Sequence, residues 1–235
     1  MHILKMDEMN RLQQERRELF RKDVLHILNG QAMYEEFEDG KLLGDSDYVP
    51  FNEAMCVHTT TNFVFDQKFI ETRAFGHHDS VENYRKKVIE PLDNLINKQY
   101  EGIVLWFGED MFCQMNVLTL LAYLEQSGYD RNVYLNSFQE DVFKVSQTEL
   151  TLGNYSSVYE DVLINHHKPS IVLLPIMDRA IDLYLDMLKE ENAVVQYISD
   201  HKELPESVLI NRLFIRFPDL GYGDVQYREL INKIK

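Results

Sequence analysis

The chain reads as an α/β protein: an open, mostly parallel sheet of the Rossmann-like, doubly wound kind, followed by an all-helical C-terminal segment. Three observations predict this. Strand-like apolar runs alternate with helical periods from residue 23 to about residue 140, the order that parallel pairing and right-handed crossovers require. The run Gly102-Ile-Val-Leu-Trp-Phe107 is apolar at every position after its glycine, as a strand buried on both faces must be. From about residue 155 onward the apolar spacing is helical throughout.

Taken in order, residues 5–22 form a polar helix with a thin apolar stripe of Met6, Met9, Leu12, Leu19 and Phe20, suited to packing on the body or on a partner. The first strand is Asp23-Val-Leu-His-Ile-Leu28, followed at once by Asn29-Gly30-Gln31 and a short helix. A second, Asp47-Tyr-Val-Pro-Phe51, ends at Asn52-Glu53, and Pro50 confines it to an edge. Residues 66–75 and 79–99 are helical, with Ser80 as an N-cap and Tyr84, Val88, Leu92, Leu95 and Ile96 as the apolar face. Pro91 should kink or split that second helix.

The third strand, 102–107, leads into a helix from Asp110 to Ser127 that is apolar nearly all round and so must be covered on several sides. Gly128 ends it, and Asn132-Val-Tyr-Leu-Asn136 is a fourth strand. Further on, SIVLLPIMDRAIDLYLDMLKEE reads as one long helix, and residues 191–235 as three short ones divided at Leu204-Pro205 and Pro218-Asp-Leu-Gly-Tyr-Gly. The expected divisions are 1–22, 23–150 and 151–235, packed together, since no low-complexity linker separates them.

The chain has 235 residues, 45% of them hydrophobic, which is ordinary globular composition. Its longest apolar runs, such as Ile171 to Met177, fall far short of the ~20 residues of a bilayer span, so no membrane partner is expected. With no secretory signal pattern and only Cys56 and Cys113, a reducing, cytoplasmic setting of bacterial type is expected. The net charge of −15 argues against extended nucleic-acid binding. A small anion held by backbone amides at a helix N-terminus remains compatible with it.

In open α/β sheets, ligands sit beyond the carboxyl ends of the strands. Here those ends are Asn29-Gly30-Gln31, Asn52-Glu53, Gly108-Glu109-Asp110 and Asn136, each delivering an amide or a carboxylate. Gln114 and Cys113 lie in the first turn of the following helix. Such residues also cap helices and make turns everywhere, and Asp110 suits an N-cap as well as a site. Glu53 and Glu109 cap poorly, so they are the harder to explain structurally.

The chain lacks GxGxxG after its first strand, GxxxxGK[ST] and GxSxG, so dinucleotide, P-loop and nucleophile-elbow readings have no support. Glu53 with Glu109 or Asp110 suits a divalent cation, a general acid or base, or a hydrogen-bonded diol. Cys113 has a helix start to activate it, but Phe112 and Met115 flank it and inert packing is expected. His26 falls inside a strand, where a hydrogen-bonded core histidine is the commoner outcome. His77-His78-Asp79 does not read as a metal cluster, because adjacent side chains point apart.

The segments HILNGQAM, LLGDSDYVPFNEAM and LWFGEDMFCQMNVLTLLAYLE resemble those of a bacterial family known as domain-of-unknown-function 1835, over roughly residues 23–140. The pattern His-x-x-x-Gly, then Trp-x-x-x-Asp with a following Gln, matches at His26, Gly30, Trp106, Asp110 and Gln114. Gln31 stands where many relatives place Asp, which weakens a metal role there. The resemblance implies no established activity.

The expected function is therefore binding or processing of a small polar molecule, nucleotide- or sugar-like, at the sheet's carboxyl end. Glu53, Glu109 and Asp110 would be the acid/base or metal-binding groups. His26, Asn29, Gly30, Gln31, Asn52, Trp106, Gln114 and Asn136 would hold the ligand. Two alternatives stand beside it: a regulator whose C-terminal helices carry Arg212 and Arg216, and an interaction protein forming homo-oligomers.

Overall fold

The computed structural model describes residues 6–40, 42, 44–138 and 144–234. A five-stranded sheet lies at its centre, made of β1 (Val24–Leu28), β2 (Asp47–Pro50), β3 (Gly102–Gly108), β4 (Asn132–Phe138) and β5 (Val145–Leu150), in the order β2-β1-β3-β4-β5. The first four are parallel; β5 runs antiparallel beside β4. Pro50 sits opposite Leu28 on the outer strand β2, the place where a residue without an N–H costs the ladder least. The antiparallel strand was not legible in sequence: only Val145 and Leu150 at its two ends are buried, so VSQTEL carries no apolar alternation.

Helices cover both faces. Beneath one lie α1 (Met6–Glu15), the 3-10 turn Arg17–Leu19 and α2 (Gly30–Gly40), which bury Met9, Leu12, Leu19, Met33 and Phe37 against Val24, Leu28, Val104 and Trp106. Residue 5, where the N-terminal helix was expected to begin, lies outside the described residues. Glu8 of α1 accepts a hydrogen bond from the Val145 N–H at 2.8 Å, which ties the helix to β5. The other face carries α3 (Gln67–Gly76), α4 (Val81–Tyr84), α5 (Asp93–Asn97) and α6 (Met111–Gln126).

The expected helix over 79–99 is helical but divided. Ser80 caps α4 by accepting from the Asn83 N–H; a π turn (Arg85–Ile89) and a 3-10 turn (Glu90–Leu92) then absorb Pro91. The buried face is the predicted one, with Tyr84, Val88, Leu92 and Leu95 inside.

Behind α6 pack α7 (Tyr155–Tyr159), α8 (Pro175–Met187), α9 (Ala193–Asp200), α10 (Glu206–Arg216) and α11 (Asp224–Ile234). One continuous apolar core runs from the sheet through α6 into these helices, which is why α6 is apolar all round. The long helix expected from Ser170 begins only at Pro175. Leu174, extended at φ −137° and ψ 132°, shows the exclusion a proline imposes on the residue before it, and Pro175 occupies the first helical turn, where its missing N–H costs nothing. No helix among the described residues is long and apolar enough to cross a membrane.

Candidate functional site at the carboxyl end of the sheet

The crossover from β1 runs outward to β2, and the next passes back over β1 to β3, so the two connections part at the carboxyl ends of β1 and β3. Asn29 and Gly30 stand at one lip of this opening and Gly108, Glu109 and Asp110 at the other. Gly30, at φ +83°, opens α2 in the left-handed region that glycine enters freely, with no atom within 4 Å of where a side chain would stand. Beside it Asn52 donates to Gln31 Oε1 at 3.3 Å and to the Lys87 carbonyl at 3.0 Å.

Asp110 is the N-cap of α6. Its Oδ1 accepts the Cys113 N–H at 2.8 Å, as Asp does best at that position. Burial raises its pKa, against the opposing hydrogen bonds from Cys113. Asn29 donates to the Cys113 sulfur at 3.0 Å, and burial, with Asp110 alongside, pushes that thiol well above its ordinary range. Cys113 is thus a packed thiol, and Cys56 is likewise buried and raised.

The C-terminal segment packs against Asp110 from outside. Gly221 (φ +66°) follows the 3-10 turn Pro218–Leu220, and a Cβ there would stand 1.9 Å from Asp110 Oδ1. Nothing in the sequence ties residue 221 to residue 110.

Several expected ligand contacts lie elsewhere. His26 and Trp106 are fully buried under α1 and α2: Trp106 Nε1 donates to His26 Nδ1 at 2.9 Å, so Nε2 carries the other proton and donates to the Leu19 carbonyl at 2.9 Å. Burial pushes His26 down to about 3, and neither ring has a polar atom left for a ligand. Gln114 is fully buried and donates to the Gly108 carbonyl at 2.7 Å. Asn136, also fully buried, accepts from Gln147 at 2.8 Å on the adjoining strand. Asn29, Gly30, Gln31, Asn52, Glu109 and Asp110 keep some exposure at the opening.

Glu53 belongs to a second cluster. Three residues past β2, its buried carboxylate receives Arg73 Nη2 at 2.8 Å and Nε at 3.2 Å, His77 Nε2 at 2.7 Å, and the Tyr84 hydroxyl. Burial alone would raise its pKa; the Arg73 charge and the hydrogen bonds from His77 and Arg73 outweigh that and hold it well below the usual carboxylate range. Glu53 is therefore an ion, so His77 donates from Nε2–H and keeps Nδ1 as its remaining ring nitrogen. Arg73 spends its other protons on the carbonyls of Ala54, Val57, His58 and Thr59. The His58 ring meets His77 edge to face, with centroids 4.8 Å apart, and lines a groove of about 550 Å³ between the end of α3 and α11.

Sequence reasoning missed Arg73, His77, Tyr84 and His58 as a group. The one signal was Glu53 itself, a carboxylate hard to explain as a cap, which needed a cation somewhere. Among the described residues, no three His, Cys, Asp or Glu side chains are placed to hold a metal ion. No family model, curated protein or solved structure matches the chain.

Proposed function

We propose that the protein binds a small polar ligand, nucleotide-like or sugar-like, over the β1–α2 turn at the carboxyl end of the sheet. Asn29, Gln31 and Asn52 hold its polar edges, and Asp110 with Glu109 supplies carboxylates for acid/base or metal-assisted chemistry. The observation behind it is Gly30: left-handed, in clear space, at the opening where the crossovers part, and the first residue of a helix whose leading N–H groups have no partner inside the helix. Burial raises the pKa of Asp110, the direction that acid/base work at neutral pH requires. Membership of the domain-of-unknown-function 1835 family is proposed on the pattern formed by His26, Gly30, Trp106, Asp110 and Gln114.

A thermal-shift screen with AMP, ribose 5-phosphate, glucose 6-phosphate and Mg²⁺ tests it. A ligand at ~100 times its Kd stabilises by about 2.7 kcal/mol, and the shift should vanish in Asn29→Ala and Asn52→Ala. No shift with any probe, or an equal shift in both variants, contradicts the reading.

One observation favours a second reading, self-association through the C-terminal helices: Ile215 on α10 is 82% exposed and Val225 on α11 52%. Ile215→Glu should then lower the apparent mass on size exclusion. The regulator reading gains only the exposure of Arg212 and Arg216.

A further inference from the structure

His58 is held in place more firmly than a surface loop residue needs to be. Its backbone is left-handed at φ +62°, a conformation uncommon outside glycine. Arg73 grips its carbonyl at 3.3 Å and that of Val57 before it at 2.7 Å. The absence of a side chain at Gly76 makes room for it, since a Cβ there would come within 2.7 Å of His58 Cβ. Its ring leans on His77, itself fixed by Glu53. A costly conformation, held by a buried ion pair, at the wall of a groove: such strain concentrates where a side chain has work to do.

The groove supplies the rest of a site. Phe75, 83% exposed, offers a flat apolar wall. Asn232 and Lys233 of α11 bring hydrogen-bond donors to the opposite side, and Thr59 is the one hydroxyl among its lining residues. No serine or cysteine lines it.

We propose that His58 is the general base of a hydrolytic site in this groove, acting on a carboxylic ester with a planar apolar portion that rests on Phe75. His77, Glu53 and Arg73 are its positioning residues. His58 takes a proton from a water as the water oxygen bonds to the ester carbonyl carbon, and the C=O pair moves onto the carbonyl oxygen, opposite Asn232 and Lys233. That pair then re-forms the double bond and the bond to the leaving oxygen breaks. The leaving oxygen departs with the bonding pair and receives the proton from His58. Ester and water become acid and alcohol, and nothing is oxidised or reduced. The titratable and charged groups facing His58 are Arg73 of α3, His77 just past its end, and Glu229 and Lys233 from α11; burial first, then His77 and Arg73, lower its pKa, which favours the neutral ring that a base needs.

This site uses none of Asn29, Gln31, Asn52 or Asp110, so failure of the ligand screen and failure of this proposal are separate results. The test is hydrolysis of 4-nitrophenyl acetate by the full chain, as a function of pH. The wild type should exceed the buffer rate, with activity rising through a midpoint below that of an ordinary histidine. His58→Asn, which suits the left-handed backbone, should lose about a hundredfold with its unfolding midpoint in urea unchanged. His77→Gln should lower the rate less and move the pH midpoint upward, which a merely structural role would not do. His167→Asn, on an exposed loop, should match the wild type. A wild-type rate no higher than that of His58→Asn overturns the proposal. Should His58→Asn unfold, an unmoved midpoint in His77→Gln overturns it instead.

Discussion

Two polar clusters lie on opposite faces of the sheet, and they differ in where their hydrogen bonds end. Under α1, His26 and Trp106 satisfy each other and Leu19, and the chain of contacts stops inside the core. On the other face Glu53 gathers Arg73, His77 and Tyr84, and the contacts continue through His77 to His58 and out to a groove. The first cluster specifies packing; the second stores a charge pair and a strained loop next to open space. Burial of a polar group is therefore no guide to use. What distinguishes the two is whether the network has an end at the surface.

The largest expected effect breaks the second cluster. Arg73→Met leaves the Glu53 carboxylate buried without its cation and should cost about 3–5 kcal/mol in urea unfolding. Adding Glu53→Gln should recover part of that loss; no recovery would mean that Arg73 serves mainly the carbonyls of the 54–59 loop. Next comes Gly221→Ala, which forces a side chain into both a left-handed backbone and Asp110, for about 2–4 kcal/mol. A neutral result there would show that the C-terminal segment does not pack against Asp110.

A smaller effect probes the first cluster through pH. His26 is held down to about 3 from an ordinary 6.5, so between those values the unfolded chain binds a proton that the folded chain refuses. Stability is fully present above 6.5 and falls by about 1.4 kcal/mol per pH unit below it. Asp110, whose pKa is raised, acts in the opposite sense, so the readout is the difference between wild type and His26→Gln, which should lose the His26 slope. The smallest effect is at the surface. Lys86→Ala removes an exposed pair with Glu82 and should change stability by less than about 0.5 kcal/mol.

Much of the fold was legible because its signals are local. Alternating apolar periods marked the four parallel strands, Pro50 marked the outer one, and Ser80 and Asp110 announced the helices they cap. What escaped was decided at long range. Strand β5 owes its place to pairing with β4 and has little apolar signal of its own. The site divides the same way. Local pattern brought Asn29, Gly30, Asn52 and Asp110 to one end of the sheet, because strand ends are a local property. It could not say that Trp106 would turn inward to His26, that Gln114 would bond to Gly108, or that Glu53 would find Arg73 twenty residues on. Partners of buried polar groups are chosen by packing.

The contrast between a closed cluster and an open one is tested most directly by following the histidine ring nitrogens by NMR from about pH 5 to 8. His26 should stay neutral across that range, with its proton fixed on Nε2, and His58 should titrate with a midpoint below that of an ordinary histidine. A His26 ring that takes up a proton near 6.5, or a His58 that titrates like a fully solvated histidine, would contradict the account.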